Sequence, residues 1–359
     1  MDIEEKIGLI KSFAEEIVRE DELRSLFKSG KKITAYDGFE PSGKIHIAQG
    51  LLRAINVNKL TSTGIKFKFW VADWFAMLNN KYNGDLNKIK IVGEYFVEVW
   101  KACGMNMKNV EFIWASDFIK KHPEYWETVL KLSMSASVQR VLRCGQIMGR
   151  ENSISNPSAQ ILYPLMQASD IHHLDADIAQ LGLDQRKVNM LARELFPKIG
   201  LKPPIVISHK MLLGLQHKDT SGLNSVDKKI ELKMSKSKPE TAIFMTDSKE
   251  DVFRKFKKAY CPEKKEEDNP VLEYARYIVF EKFDKIIIRR DSKFGGNLII
   301  KNYEDLRKLY LKGEIHPLDL KNAVAEYINE LLNPIREHFK KNQKAKKLLE
   351  KVNGFEITR

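Results

Sequence analysis

Through its first two thirds the chain alternates two kinds of apolar pattern, and this alternation restricts its fold more than any other feature. Short runs rich in strand formers occur at 32–36, at 65–70 continuing through Val71 and Ala72, at 110–115 (VEFIWA) and at 205–208 (IVIS). Between them lie runs with helical spacing. After Gln49, the residues Leu51, Leu52, Ile55 and Leu60 fall near one face. Within 89–104, Val92, Tyr95, Phe96, Val99 and Trp100 recur at three- and four-residue intervals. Strand, helix, strand in this order predicts an α/β fold, a parallel sheet with helices on both faces. Such sheets bind ligands at the carboxyl ends of their strands.

Elsewhere the pattern changes. Residues 1–20 read as one amphipathic helix, without the basic head and apolar core of a signal peptide and too acidic for a transit peptide. The stretch 125–151 is mostly helical and carries Arg140, Arg143 and Arg150. From about Lys249 the chain becomes lysine-rich and helical with no further βα alternation, which predicts a second, helical domain. The polar, lysine-dense 223–239 reads as a mobile loop joining the two. A chain of 359 residues accommodates two domains, and 43% hydrophobic against 30% charged residues is an ordinary globular balance.

The formal charge of +13 suits a partner bearing phosphate, or serves solubility alone. The three cysteines, Cys103, Cys144 and Cys261, are scattered and odd in number, which argues against a disulfide framework and for a reduced, intracellular setting. No short-spaced Cys or His cluster predicts a structural metal. His172 and His173 lack a third ligand, and Cys103 and Cys144 read as small buried apolar residues. The most apolar run, FKFWVADWFAML, contains Lys68 and Asp73 and is too short to span a bilayer.

Two segments carry chemistry. The first is YDGFEPSGKIHIAQG, from Tyr36 to Gly50. Gly38 and Gly43 permit a tight turn or close approach to a ligand, and Pro41 and Ser42 mark the turn itself. A helix is expected from near Ile45, its unpaired amides favouring an anion, with His46 able to donate to phosphate and to charge near neutral pH. Alone this is an ordinary glycine turn before a helix. The second segment is KMSKS at 233–237, where lysines and serines on a flexible loop could wrap a polyphosphate. Cations delivered by such a loop stabilise charge that builds up in the transition state. Together the two segments read as a clamp for a polyphosphate.

HIAQ followed by KMSKS resembles the two signatures of class I aminoacyl-tRNA synthetases. YDGFEPSGKIH, YPLMQASDIHHL, LGLDQRKVNMLARELFP and HPLDLKNAVAEYI narrow the resemblance to tyrosyl-tRNA synthetases of the archaeal and eukaryotic cytosolic type, from near the N-terminus to about Phe339. The resemblance implies a Rossmann-like catalytic domain over 1–226 with a helical dimerisation insertion at about 100–160. It further implies a KMSKS loop and linker over 227–246, and an α-helical anticodon-binding domain over 247–359.

It also implies roles. Gly38, His46, Gln49, Lys233, Met234, Ser235 and Lys236 would bind ATP, with His46, Gln49, Lys233 and Lys236 catalytic. Gln49 stands where the signature most often has a second histidine, and it can donate a hydrogen bond but cannot become cationic. Tyr36 and Asp170 would pair the phenol hydroxyl of tyrosine. Tyr163, Gln167 and Gln185 would hold its amino group and ring, with Glu40 and Asp73 nearby. Arg186 would read the first base pair of the acceptor stem. Phe294 and Asp319 would stack on and hydrogen-bond the first anticodon base. Read without the resemblance, Phe294 is a loop anchor and Asp319 a helix cap.

The expected substrates are L-tyrosine, ATP with Mg2+, and tRNA(Tyr). The expected protein is a cytoplasmic homodimer without a membrane segment or structural metal. The basic tail after Phe339 is either a tRNA contact or a solvated face. The alternatives are a tryptophanyl-tRNA synthetase, a non-catalytic RNA-binding paralogue and a small-molecule nucleotidyltransferase.

Overall fold

The computed structural model describes residues 1–145, 157–216, 220–234, 236 and 239–356. Its centre is a six-stranded sheet. The strands are β1 Ala14–Val18, β2 Thr34–Phe39, β3 Lys66–Val71, β4 Val110–Trp114, β5 Ile178–Ala179 and β6 Ile205–His209. Their spatial order is β1-β6-β5-β2-β3-β4, all parallel except β1, which runs antiparallel to β6. From β2 the chain goes outward to β3 and β4, then returns to β5 on the other side. The order therefore reverses between β2 and β5, which opens a crevice at their carboxyl ends.

Strand alternation divides the core between the two faces of the sheet. Phe67 and Phe69 of β3 point to one side, where they pack with Phe96 and Trp100 of the helix Leu86–Ala102. Tyr36 of β2 and Trp70 of β3 point to the other, packing with Phe75, Tyr125, Tyr163 and Met166. Helices Glu124–Ser135 and Ala159–His173 cover this second face.

Four expectations need correction. The first 20 residues are not one helix: a helix Ile3–Lys11 is followed by β1. The acids Glu15 and Glu16 sit on that edge strand because each finds a cation, Lys229 and Arg186 respectively. The stretch at about 100–160 includes β4, so its helical run begins with Ala115–Lys121. The segment read as a loop holds the helix Ser225–Leu232. The lysine-rich region carries, besides helices, a hairpin of β7 Ile286–Ile288 and β8 Leu298–Ile300, three residues per strand and too short for alternation to register.

The long helices Pro317–Lys341 and Gln343–Asn353 pack back onto Leu86–Ala102. Tyr95 meets Phe339 at 5.5 Å between ring centroids, and Glu98 accepts from His338 at 3.0 Å. On its other side this helix comes very close to the sheet at Gly93, where an added Cβ would lie 2.6 Å from Trp114 Cη2 and 3.1 Å from Val71 Cγ1. Alanine gains about 1 kcal/mol of helix propensity over glycine, but overpacking costs about 1–3 kcal/mol. Gly93→Ala is therefore expected to destabilise the protein by a net of up to about 2 kcal/mol, read as a lower urea midpoint with an unchanged slope.

Candidate active site

The spacing of Tyr163, Gln167 and Asp170 places them along one face of the helix Ala159–His173. Tyr36 lies on β2 beneath them, wholly buried, and its hydroxyl has no hydrogen-bond partner. Burial pushes that phenol far above its ordinary value, with the Asp170 and Asp37 carboxylates adding to the effect. Asp170 is also buried, which drives its carboxyl well above the carboxylate range; the Tyr125 hydroxyl, donating to Oδ1 at 2.7 Å, opposes this. Tyr163 donates to Glu40 Oε1 at 2.5 Å, and Asn79 donates to the two Glu40 oxygens at 3.2 and 3.1 Å. Gln167 donates to Gln185 Oε1 at 3.1 Å. The structure thus gathers Tyr36, Glu40, Tyr163, Gln167, Asp170 and Gln185 at the crevice.

Asp73 is not free to join them. It is fully buried, and its Oδ1 accepts from the backbone amides of Trp74 and Ser116, both at 2.9 Å. Its Oδ2 accepts from Ser116 Oγ at 2.5 Å. The carboxylate fastens the helix Asp73–Leu78 to the start of Ala115–Lys121, so its structural use displaces the expected substrate contact.

The phosphate side differs in detail from the expectation. Gly38 is an ordinary strand residue opposite Trp70, and a Cβ there would make normal contact at 3.7 Å. The turn is made by Gly43, at φ +58°, whose amide donates to the Tyr82 hydroxyl at 2.6 Å. The helix begins later than Ile45, with a wide turn Ala48–Leu52 leading into Arg53–Ser62. His46 instead forms an isolated antiparallel bridge with Phe244, and the chain turns at Ile47. Ile47 N donates to Ile243 O at 2.8 Å, and Met245 N donates to Ile45 O at 2.9 Å. The segment just after KMSKS therefore pins the histidine, a contact that no motif announces.

His46 is 7% exposed. Burial, then Lys236 and Lys233, hold its imidazole well below its usual value, so it is neutral at pH 7 rather than poised to charge. Its Nδ1 accepts from Gln49 N at 3.4 Å, which leaves Nε2 to carry the proton. The Gln49 carbonyl accepts from Trp100 Nε1 at 2.7 Å, while its side-chain Oε1 is buried without a partner. Lys236 Nζ donates to the Ser42 carbonyl at 2.6 Å and lies 4.6 Å from the Phe96 ring centroid. Burial pushes its ammonium down to about 7, with Glu40 opposing and Lys81 reinforcing. Lys233 pairs with Asp184 at 2.7 Å, and Met234 is buried. Ser235 lies outside the described residues.

The sequence reading passed over three more residues here. Arg53 is 4% exposed, pairs with Asp37 at 2.9 Å and donates to Gln180 at 2.5 Å. Asp37 is pushed up to about 6 by burial, against Arg53 and with help from Asp184. An arginine inside the apolar run LLRAINV was the available signal.

Among the residues expected to meet RNA, Arg186 forks onto Glu16 at 2.6 and 2.9 Å. Phe294 is 63% exposed, at the tip of a loop closed by Gly295 and Gly296, both at positive φ. Asp319 lies in the first turn of Pro317–Lys341 but does not cap it. His316 does, accepting from Leu318 N at 3.2 Å.

Among the described residues no group of three His, Cys, Asp or Glu side chains could hold a metal ion. The family model for class I tRNA synthetases (W and Y) matches residues 28–333. The chain is 50% identical to tyrosine–tRNA ligase 2, cytoplasmic, of Arabidopsis thaliana over 99% of its own length, but spans only 46% of that protein. It is 47% identical to tyrosine–tRNA ligase 1, cytoplasmic, of the same plant, over the whole chain and 90% of that relative. The crystal structure of tyrosyl-tRNA synthetase from Pyrococcus horikoshii, complexed with L-tyrosine, matches with a TM-score of 0.89 at 37% identity, covering 98% of this chain and all of that one. A buried phenol and carboxylate on one side of the crevice, two lysines and a neutral histidine on the other, and full-length likeness all agree: the chain belongs to the class I tRNA synthetases, and within them to the tyrosyl branch.

Proposed function

We propose that this chain activates L-tyrosine with ATP and transfers the tyrosyl group to tRNA(Tyr). The observation that carries the choice of amino acid is the buried Tyr36 hydroxyl without a partner, alongside the buried Asp170 carboxyl. An unpaired buried hydroxyl costs about 1–3 kcal/mol. A phenol hydroxyl both donates and accepts, so it can serve both groups. Phenylalanine serves neither. An indole N–H only donates, so it can engage one of the two. Gln167, Gln185 and Tyr163 with Glu40 would hold the amino group and ring.

In the first step a tyrosine carboxylate oxygen attacks the α-phosphorus of ATP, and the bond to the bridging oxygen of pyrophosphate breaks. In the second, a terminal ribose hydroxyl of tRNA attacks the tyrosyl carbonyl and AMP leaves. The substrates supply both nucleophiles, so the protein positions groups and neutralises charge. Lys233 and Lys236 face the leaving pyrophosphate, and His46 donates a neutral hydrogen bond from Nε2. Gln49 adds a second uncharged donor. Mg2+ travels with the nucleotide phosphates and supplies further charge neutralisation there. The chain's own groups on that side are two lysines and two uncharged hydrogen-bond donors.

Arg186 would contact the acceptor stem after exchanging its Glu16 partner. Exposed Phe294 and half-buried Asp319 would read an unpaired anticodon base. Residues 1–226 would form the catalytic domain, 227–246 the linker and 247–359 the anticodon-binding domain. Trp126, Leu130 and Met134 recur at four-residue spacing on the outer face of Glu124–Ser135, at 40%, 62% and 87% exposure. A row of this kind suits burial against a second copy of the chain. A cytoplasmic site of action accords with the names of the plant relatives. Among the described residues no helix is long and apolar enough to cross a membrane.

ATP–pyrophosphate exchange with tyrosine, tryptophan or phenylalanine tests the reaction. Exchange is expected to be far more efficient with tyrosine than with phenylalanine or tryptophan, and a preference for tryptophan would overturn the reading. Nucleotide phosphates should raise the Lys236 ammonium from about 7, so ATP binding takes up a proton above that pH and weakens as pH rises. Calorimetry from pH 6.5 to 9 in buffers of different ionisation enthalpy is expected to show this uptake, and Lys236→Arg, always charged, to abolish it. Glutamate at both Leu130 and Met134 is expected to yield monomers by sedimentation, where the unaltered chain sediments as a dimer.

A further inference from the structure

Resting on the reading of tyrosine as substrate, one buried side chain outside every motif deepens it. Tyr125 lies on the helix Glu124–Ser135, the element whose outer face carries Trp126 and Leu130. Its own ring points inward and is wholly buried. The ring is tilted against His173 at 5.2 Å, and its backbone carbonyl accepts from Ser169 Oγ at 3.4 Å. The phenol is therefore fixed by packing. It stands 2.7 Å from Asp170 Oδ1 and 2.8 Å from the Met166 carbonyl.

We propose that Tyr125 is a positioning residue for amino-acid selection, holding Asp170 in the orientation and charge state that accept a hydrogen bond from the substrate's phenol. The geometry permits two proton arrangements. With Asp170 ionised, Tyr125 donates to Oδ1, which leaves Oδ2 as the oxygen for a ligand hydroxyl. With Asp170 neutral, the carboxyl donates to Tyr125 and Tyr125 donates to Met166 O. The same hydroxyl satisfies both, so Asp170 can change protonation inside an apolar core without leaving a buried group unpaired.

The groups facing Asp170 from the packed elements are Tyr36 on β2, Tyr125 on Glu124–Ser135, and Tyr163, backed by Glu40, on its own helix. Burial raises the Asp170 carboxyl and the Tyr125 hydrogen bond lowers it. Removing the hydroxyl therefore makes the anion harder to form, and the acid limb of tyrosine use should move to higher pH. Selection of the amino acid thus depends on a helix whose other face is a candidate contact with a second copy of the chain.

The test is Tyr125→Phe, assayed by pyrophosphate exchange with tyrosine and with phenylalanine from pH 6 to 9. Tyrosine kcat/KM is expected to fall by about 10- to 100-fold, chiefly through KM, with phenylalanine changed by less than about 3-fold. The acid limb for tyrosine should shift upward while the KM for ATP stays unchanged. An equal loss for both amino acids, or an unmoved acid limb, would overturn the proposal. Val129→Ala, on the same buried face, controls for lost packing: it should lower stability without altering the tyrosine-to-phenylalanine ratio, and an equal change in that ratio would reduce Tyr125 to a structural role. Should Tyr125→Phe not fold, Tyr125→His keeps a ring and a donor. A retained ratio supports the proposal, and a folded His variant that has lost it counts against it. Absence of tyrosine-dependent exchange in the unaltered protein would instead sink the underlying reading, so the two failures are distinct.

Discussion

Everything in the crevice depends on how β2 is placed, between β3 on one side and β5 on the other with the chain order reversing there. Neighbouring residues of a strand face opposite ways. Tyr36 thus enters the face covered by Ala159–His173, and Asp37 enters the face where Arg53 lies. The register ties Tyr36 to Ala179, and Gln180 N donates to Tyr36 O at 2.9 Å. A slip of one residue would turn Tyr36 or Asp37 onto the wrong face of the sheet. The Tyr36 side and the Arg53 side are therefore set by one alternation, and they meet again at Glu40, which accepts from Tyr163 and acts electrostatically on Lys236.

The charged groups around His46 and Arg53 are engaged within the protein itself. Lys233 rests on Asp184, Lys236 on the Ser42 carbonyl above the Phe96 ring, and Arg53 on Asp37. Burial disfavours the charged forms of Lys236 and Arg53, and Lys81 repels the Lys236 ammonium as well. The result is visible in His46, kept neutral, and in Lys236, pushed down to about 7. A ligand bearing several negative charges relieves both terms at once. Its binding energy is spent on pairing cations that the empty protein holds at a cost, which favours interactions made where charge develops.

Much of this was legible in the amino-acid order, and the omissions have physical reasons. β2, β3, β4 and β6 stood out because strand-forming runs were long enough to register. β1 did not, because AEEIV continues a helical period and becomes a strand only through pairing with β6 and ion pairs to distant cations. Motif residues such as His46, Lys236 and Asp170 could be named, but their electrostatics could not. Whether a histidine charges depends first on how deeply it is buried and then on two lysines nearly two hundred residues downstream. Asp73 shows the reverse: an acid after a strand reads as a site residue until Ser116 is seen to occupy it. Tyr125 gave no signal because its partner, Asp170, lies on another helix.

The change of composition near Lys249 marks a change of surface more than a break in the interior. One apolar cluster runs from Ile7 to Val352. The helix Leu86–Ala102 is the element that joins its parts. On one side Tyr95 packs on Phe339, and Glu98, 6% exposed, accepts from His338 and Lys101. On the other, Trp100 holds the Gln49 carbonyl and Phe96 lies beneath Lys236. A seventeen-residue helix packed at close-contact density transmits position because it cannot bend locally without opening voids. The glycine at its centre, pressed against Trp114, allows that approach to the sheet. The same rigid rod thus sets the height of both signature segments above the strands and the seat of the C-terminal helices. That shared seat is the physical reason the basic helical region and the crevice above the sheet share one core.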